Sequence, residues 1–214
     1  MIRVMIADDQ VIVREGLKKI LSLDDEIEVV CEAENGCDVL EKLGSHIVDI
    51  ILMDVRMPKM DGIKASALVK KRYPDIKIII LTTFNEDEYL FEGIKNGISG
   101  YILKDSEIDY IIKSIKEACA DKMMFDPGVT PKLINALNSS NEDKIKDGRK
   151  NDALNKLTDR EMEILNLVVK GKSNQEIAYT LFISEGTVKN YTSKILKKLD
   201  LKSRTQLVAY MLLK

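Results

Sequence analysis

Five short runs rich in Val and Ile, at Ile2–Ala7, Glu28–Ala33, Ile50–Met53, Ile76–Leu81 and Gly100–Leu103, alternate with longer segments whose apolar residues recur at helical spacing. Runs this short and this apolar suit strands covered on both faces, which is the condition of a parallel sheet. The intervening segments, near Val11–Leu23, Cys37–Leu43, Ile63–Arg72, Glu86–Asn96 and Glu107–Ala120, then become the crossover helices. Five strand–helix units in succession predict an α/β doubly wound domain with a five-stranded parallel sheet. Pro74 and Gly97 follow the third and fourth helices as stop signals, and Asn85 and Ser106 stand where N-caps belong.

That alternation accounts for little more than half of the 214 residues. The periodicity fades from Asp121, and residues 138–152 are almost wholly polar, which predicts a linker over 121–153 with one short helix at Pro131–Leu137. Residues 154–214 are helical again, in four segments with very short breaks. The division is thus 1–120, 121–153 and 154–214. Net charge separates the halves: residues 1–120 carry 16 Lys+Arg against 23 Asp+Glu, and residues 121–214 carry 17 against 12. An acidic half joined to a basic half points to a polyanionic partner for the second alone.

Other classes are disfavoured. No stretch approaches the roughly 18 to 20 apolar residues of a membrane span, and the chain opens directly into a strand pattern, so a cytoplasmic protein without membrane contact is expected. Cys31, Cys37 and Cys119 have no paired spacing and His46 is the only histidine, which supports neither a disulfide framework nor a zinc site.

Asp8 and Asp9 end the first apolar run, and Asp54 ends the third. In a sheet of the flavodoxin-like order 2-1-3-4-5, the crevice opens between strands 1 and 3, where strand order reverses. Three carboxylates converge there and need a cation; with no histidine or thiolate nearby, they are hard oxygen ligands suited to Mg²⁺. Thr82 ends the fourth strand and Lys104 follows the fifth. A hydroxyl and an ammonium beside a metal-bound carboxylate are the donors that a phosphoryl group on that carboxylate would require. Asp54 therefore reads as a nucleophile that forms an acyl phosphate.

Asp8-Asp9, Asp54 followed by Met57-Pro58 and Asp61-Gly62, Thr82, and Tyr101 three residues before Lys104 resemble the receiver domain of two-component response regulators. The resemblance implies that Asp54 accepts phosphate from a histidine kinase. It also implies that Asp8, Asp9, Asp54 and the Arg56 main-chain carbonyl hold Mg²⁺, and that Lys104 and Thr82 contact the phosphoryl group. Tyr101 matches an aromatic that moves inward when Thr82 is drawn to the phosphate. In the loop, Pro58 fixes one φ, and Gly62 is expected to allow a backbone conformation that other residues resist.

In the basic half, Thr158 with Glu161 and Ser173 with Glu176 have capping-box spacing, while Ser184 and Ser203 begin two further helices. The tight join between the second and third of these helices predicts a helix-turn-helix. At about 100° per residue, Thr192, Ile195 and Leu199 share an inward stripe with Val188. Gly186, Lys189, Asn190, Ser193 and Lys197 fall opposite, with Lys194 at the edge, a face able to approach a major groove. Leu157 to Glu161, Asn174 to Ala178, Thr187-Val188-Lys189 and Lys198-Leu199 resemble the LuxR-type DNA-binding domain. Carried over residue by residue, the resemblance implies base contacts from Lys189, Asn190 and Ser193, and phosphate contacts from Lys172, Thr187 and Lys194. Tyr191 stands where that family usually has histidine; its ring is expected to pack and its hydroxyl to reach the surface.

Together these features resemble a NarL/FixJ-subfamily response regulator, implying double-stranded promoter DNA as target and a homodimer on phosphorylation. Two competitors are weaker. A dehalogenase-type phosphatase needs a second Asp two residues after its nucleophile, where this chain has Arg56, and an adaptor that binds only proteins leaves the basic helices without a purpose.

Overall fold

The computed structural model describes residues 1–83, 87–125, 154–201 and 203–212. Six parallel strands, β1 (Ile2–Ala7), β2 (Ile27–Ala33), β3 (Ile50–Met53), β4 (Lys77–Thr82), β5 (Gly100–Leu103) and β6 (Met124–Phe125), form one sheet of order β2-β1-β3-β4-β5-β6. The expected order 2-1-3-4-5 is present, extended by a sixth strand drawn from the segment assigned to the linker. Met124 and Phe125 pair with Gly100 and Tyr101, and two residues are too few to show any period.

Five helices connect the strands: α1 (Val11–Leu21), α2 (Gly36–Lys42), α3 (Gly62–Arg72), α4 (Asp87–Asn96) and α5 (Ile108–Cys119). Alternate residues of each strand face opposite layers, so Met5, Ile51, Ile78 and Ile80 pack with Val39, Val69 and Leu90 on one side, and Val4, Ile6, Ile79 and Leu81 pack with Leu17, Leu21 and Ile115 on the other. Each such aliphatic side chain contributes on the order of 1.5–3 kcal/mol by leaving water.

α3 stops at Arg72 because Pro74 disfavours helical backbone at Tyr73. Gly97 takes a φ of 85° just past α4. The N-cap of α5 is Glu107, one residue later than Ser106, and its side chain makes no cap bond. Asn85, and the helix expected at 131–137, lie outside the described residues.

Four helices, α6 (Asp159–Val169), α7 (Asn174–Leu181), α8 (Glu185–Lys198) and α9 (Arg204–Leu212), surround a separate core that includes Ile164, Ile177, Val188, Ile195 and Leu207. Both capping boxes form, Thr158 with Glu161 and Ser173 with Glu176. Ser184 Oγ accepts from Thr187 N at 3.1 Å, and Ser203 Oγ from Gln206 N at 3.1 Å. Between α7 and α8 the chain turns at Phe182, which takes a left-handed φ of 55° and leaves its ring exposed.

Candidate functional site: an acidic pocket and a helix-turn-helix

Strand register assembles the pocket. Ala7 pairs with Met53, so Asp8 and Asp54 leave β1 and β3 side by side, and Asp54 N donates to Ala7 O at 2.8 Å. Thr82 pairs with Leu103, so Lys104 follows beside Thr82 and donates its main-chain N–H to Thr82 O at 2.9 Å. Carboxylate oxygens of Asp8, Asp9 and Asp54 all lie within 4.8 Å of one another. Asp8 is 2% exposed and Asp54 5%, whereas Asp9 opens to solvent.

Lys104 Nζ reaches into this group, 2.5 Å from Asp8 Oδ2 and 3.3 Å from Asp54 Oδ2. One ammonium leaves an excess of negative charge among three clustered carboxylates, and oxygen-only donors suit a hard divalent cation such as Mg²⁺. Burial raises the Asp54 carboxyl pKa, as does neighbouring Asp8, while Lys104 and the Val55 N–H pull it down. Arg56, whose main-chain carbonyl is the fourth expected ligand, follows in the loop after β3 with its side chain exposed.

The loop from Asp54 into α3 folds back tightly. Gly62 N donates to Val55 O at 2.9 Å, and a Cβ on Gly62 would stand 1.9 Å from Asp54 O. Among the described residues the positive φ in this loop belongs to Lys59, not Gly62. The glycine is needed for close approach to the Asp54 backbone rather than for the unusual dihedral that the sequence suggests.

Thr82 and Tyr101 are both fully buried. The ring of Tyr101 packs in the layer with Met53, Ile78 and Ile80, so the inward position expected after a switch is already filled here. Sequence reading missed Arg14. Its Nη1 donates to Asp8 O at 2.8 Å and its Nε to Glu32 at 3.2 Å, which fixes the backbone of the first carboxylate. The available signal was a charged residue on the inward stripe that continues through Leu17 and Leu21.

On α8, Val188 and Ile195 are fully buried and Thr192 is half-buried, and Leu199 at its C-cap is nearly fully buried. Lys189, Asn190, Ser193, Lys194 and Lys197 are exposed, as the helical wheel predicts, and Thr187 and Lys172 are partly exposed. Tyr191 packs against the helical core, and Lys194 Nζ stands 5.6 Å from its ring centre in a cation–π contact.

Residues 4–116 match the family model of the response regulator receiver domain, and residues 155–211 match that of bacterial regulatory proteins of the luxR family. The transcriptional regulatory protein LnrK of Bacillus subtilis (strain 168) is 39% identical over 211 residues, covering 98% of this chain and 96% of LnrK. The chain belongs to the NarL/FixJ subfamily of response regulators. Among solved structures, the RcsB response regulator of Salmonella typhimurium superposes with a TM-score of 0.59 at 26% identity, covering 98% of this chain and 97% of that one. A complex of RcsB with DNA superposes at 0.58, with the same identity and coverage.

In this response regulator the two domains touch through the edge of the sheet opposite the acidic pocket. Thr205 Oγ1 donates to Ile98 O at 2.8 Å and Gln206 Nε2 to Lys95 O at 2.7 Å, joining α9 to the end of α4. Asn174 Nδ2 donates to Asp121 Oδ2 at 2.5 Å, and Asp121 also pairs with Lys77. Lys189 and Ser193 face a cleft of about 460 Å³ whose other wall includes Met1, Ile2, Asp49 and Asp75 of the receiver. Two of the candidate base-reading residues are therefore turned toward the receiver, at an edge that includes Asp49 and Asp75. No described helix is long and apolar enough to cross a membrane.

Proposed function

We propose that this chain is a phosphorylation-controlled, DNA-binding transcription regulator of the cytoplasm. It is divided at 1–120, 121–153 and 154–214, with β6 tying the first residues of the linker to the receiver. The convergence of Asp8, Asp9, Asp54 and Lys104 on one sheet edge carries this reading.

Asp54 is the phosphoacceptor. Its carboxylate oxygen attacks the phosphorus of a histidine kinase's phosphohistidine; the O–P bond forms as the P–N bond breaks, and the imidazole leaves. Asp8, Asp9, Asp54 and the Arg56 carbonyl are the residues that would hold Mg²⁺, whose charge offsets the repulsion between an attacking carboxylate and an anionic donor. Lys104, already paired with Asp54, neutralises charge on the transferred group, and the Thr82 hydroxyl donates to its oxygens. The receiver's chemistry is limited to this transfer and the later hydrolysis of its own acyl phosphate.

Lys189, Asn190 and Ser193 read bases of double-stranded promoter DNA, while Lys172, Thr187 and Lys194 hold its phosphates. RcsB, similar along its whole length, has been solved bound to DNA. A phosphoryl group on Asp54 draws Thr82 toward it beside a Tyr101 that is already inward, loosens the contact that turns α8 toward the receiver and favours a homodimer on paired half-sites. Acetyl phosphate with Mg²⁺ should label the wild type and leave Asp54→Ala unlabelled. Labelling that persists in that variant refutes the assignment.

A further inference from the structure

A second cavity, of about 880 Å³, lies between the domains on the side of the receiver opposite Asp54, a volume ordinary for a small-molecule site. Six cationic side chains line it against two carboxylates, Asp75 and Asp121. Two of the cations are balanced: Lys77 pairs with Asp121, and Lys122 with Glu117 at 2.7 Å. The other four, Lys70, Lys71, Lys95 and Arg204, form no ion pair among the described residues.

Two of these four are half-buried. Among the described residues Lys70 Nζ donates to the carbonyls of Ile76 at 2.6 Å and Pro74 at 3.2 Å, and burial, helped by nearby Lys77, pushes its pKa down to about 8. Arg204 donates to Asn174 Oδ1 at 3.0 Å and to Lys172 O, and burial lowers its pKa too. Even partial burial of a cation on neutral carbonyls carries a cost that an anion in the site would offset. Lys71 and Lys95 stand exposed at the rim, and Ile98, Met123 and Leu196 supply apolar wall.

We propose that this cavity binds a small anion bearing two or more phosphates, clasped by Lys70 and Lys95 from the receiver and Arg204 from the helical domain. Ammonium and guanidinium groups recognise phosphate oxygens through charge-assisted hydrogen bonds. Because residues of both domains contact the anion, its binding holds them together. Ser193 and Leu196 of α8 line the same cavity, so the bound anion also opposes DNA binding; this last consequence rests on the reading of α8 as the DNA-recognition helix.

Calorimetric titration of the full chain with inorganic pyrophosphate and with ADP, at fixed ionic strength and without Mg²⁺, tests the site. One equivalent should bind. Equal affinity for both probes would show that the phosphates alone are recognised, and tighter ADP binding that the apolar wall takes the base. Lys70→Met should weaken binding by about tenfold, the loss of one charge-assisted contact. Lys95→Glu, at the exposed rim, should weaken it as well without endangering the fold. Absence of saturable heat with either probe, or wild-type affinity in both variants, overturns the proposal. DNA affinity is measured separately, so a failure of the DNA reading would leave the binding result intact.

Discussion

The Lys104 ammonium lies closer to Asp8, at 2.5 Å, than to the proposed acceptor Asp54, at 3.3 Å. A cation so placed relieves repulsion between buried carboxylates, and under the proposed function it also meets the phosphoryl group. Lys104→Met should therefore lose on the order of 3 kcal/mol of stability without metal, the cost of stranding a buried charge. Millimolar Mg²⁺ should restore most of that loss, because the ion replaces the missing positive charge. Urea melts with and without Mg²⁺ check this, and an equal deficit in both would show that the lysine matters for packing alone.

Asp54 itself is held at a cost. Its carboxyl pKa is raised chiefly by burial, so between the unfolded and folded values the native state binds the extra proton, and stability falls as pH rises through that window. Asp54→Asn should consequently be more stable than the wild type at neutral pH. The advantage should shrink as pH falls through the raised folded value and vanish below the unfolded one. Thermal melts of the two proteins across the acid range, without metal, measure the difference.

Gly62→Ala should disturb the site without touching a charged group. The added methyl would meet Asp54 O at 1.9 Å and Met53 Cγ at 2.8 Å, and a main-chain oxygen cannot move aside as a flexible side-chain end can. The expected cost is about 2–3 kcal/mol, in the range of core overpacking, with weaker Mg²⁺ binding by calorimetry. Unchanged metal affinity would show that the loop can shift independently of Asp54.

The helical domain offers a pH test of opposite sign. Main-chain and side-chain bonds to Ser173, with help from Lys172 and Lys122, hold the Glu176 carboxyl down at about 2, below its ordinary 4.5. Its contribution is complete above the unfolded pKa and is lost as pH falls from 4.5 toward 2. Glu176→Gln retains an oxygen that can accept the Ser173 bond but cannot titrate, so its stability should decline less steeply over that range. Parallel melts of the two proteins read the difference in slope.

The fold was legible because each of its first five strands is a short run rich in apolar residues, and the pocket because its carboxylates sit directly after two of those runs. Three features were hidden for separate reasons. β6 is too short to carry a period, and the need for Gly62 depends on how closely α3 returns to Asp54. The domain contact joins polar residues such as Asp121 and Asn174, 53 positions apart, for which local pattern has no signal. Tyr101 was legible as a position and not as a rotamer, since its enclosure follows from the core layer it shares with Ile78 and Ile80 of β4 rather than from its neighbours in the chain.

That hidden contact supplies the most direct test of control. Thr205 and Gln206 each donate one side-chain bond across the domain boundary, to carbonyls of Ile98 and Lys95. Net hydrogen bonds contribute roughly 0.5–1.5 kcal/mol each, so removing two should shift the closed-to-open equilibrium by about tenfold. The double variant Thr205→Val, Gln206→Ala should accordingly bind promoter DNA more tightly than the wild type when both are unphosphorylated. After acetyl phosphate treatment the two should converge, because phosphorylation has by then opened the wild type. Their salt slopes should also agree once open, since the proposed DNA contacts of Lys172, Lys189 and Lys194 would be the same in both. If the unphosphorylated double variant bound no better than the wild type, the Thr205 and Gln206 bonds would not be what restrains α8.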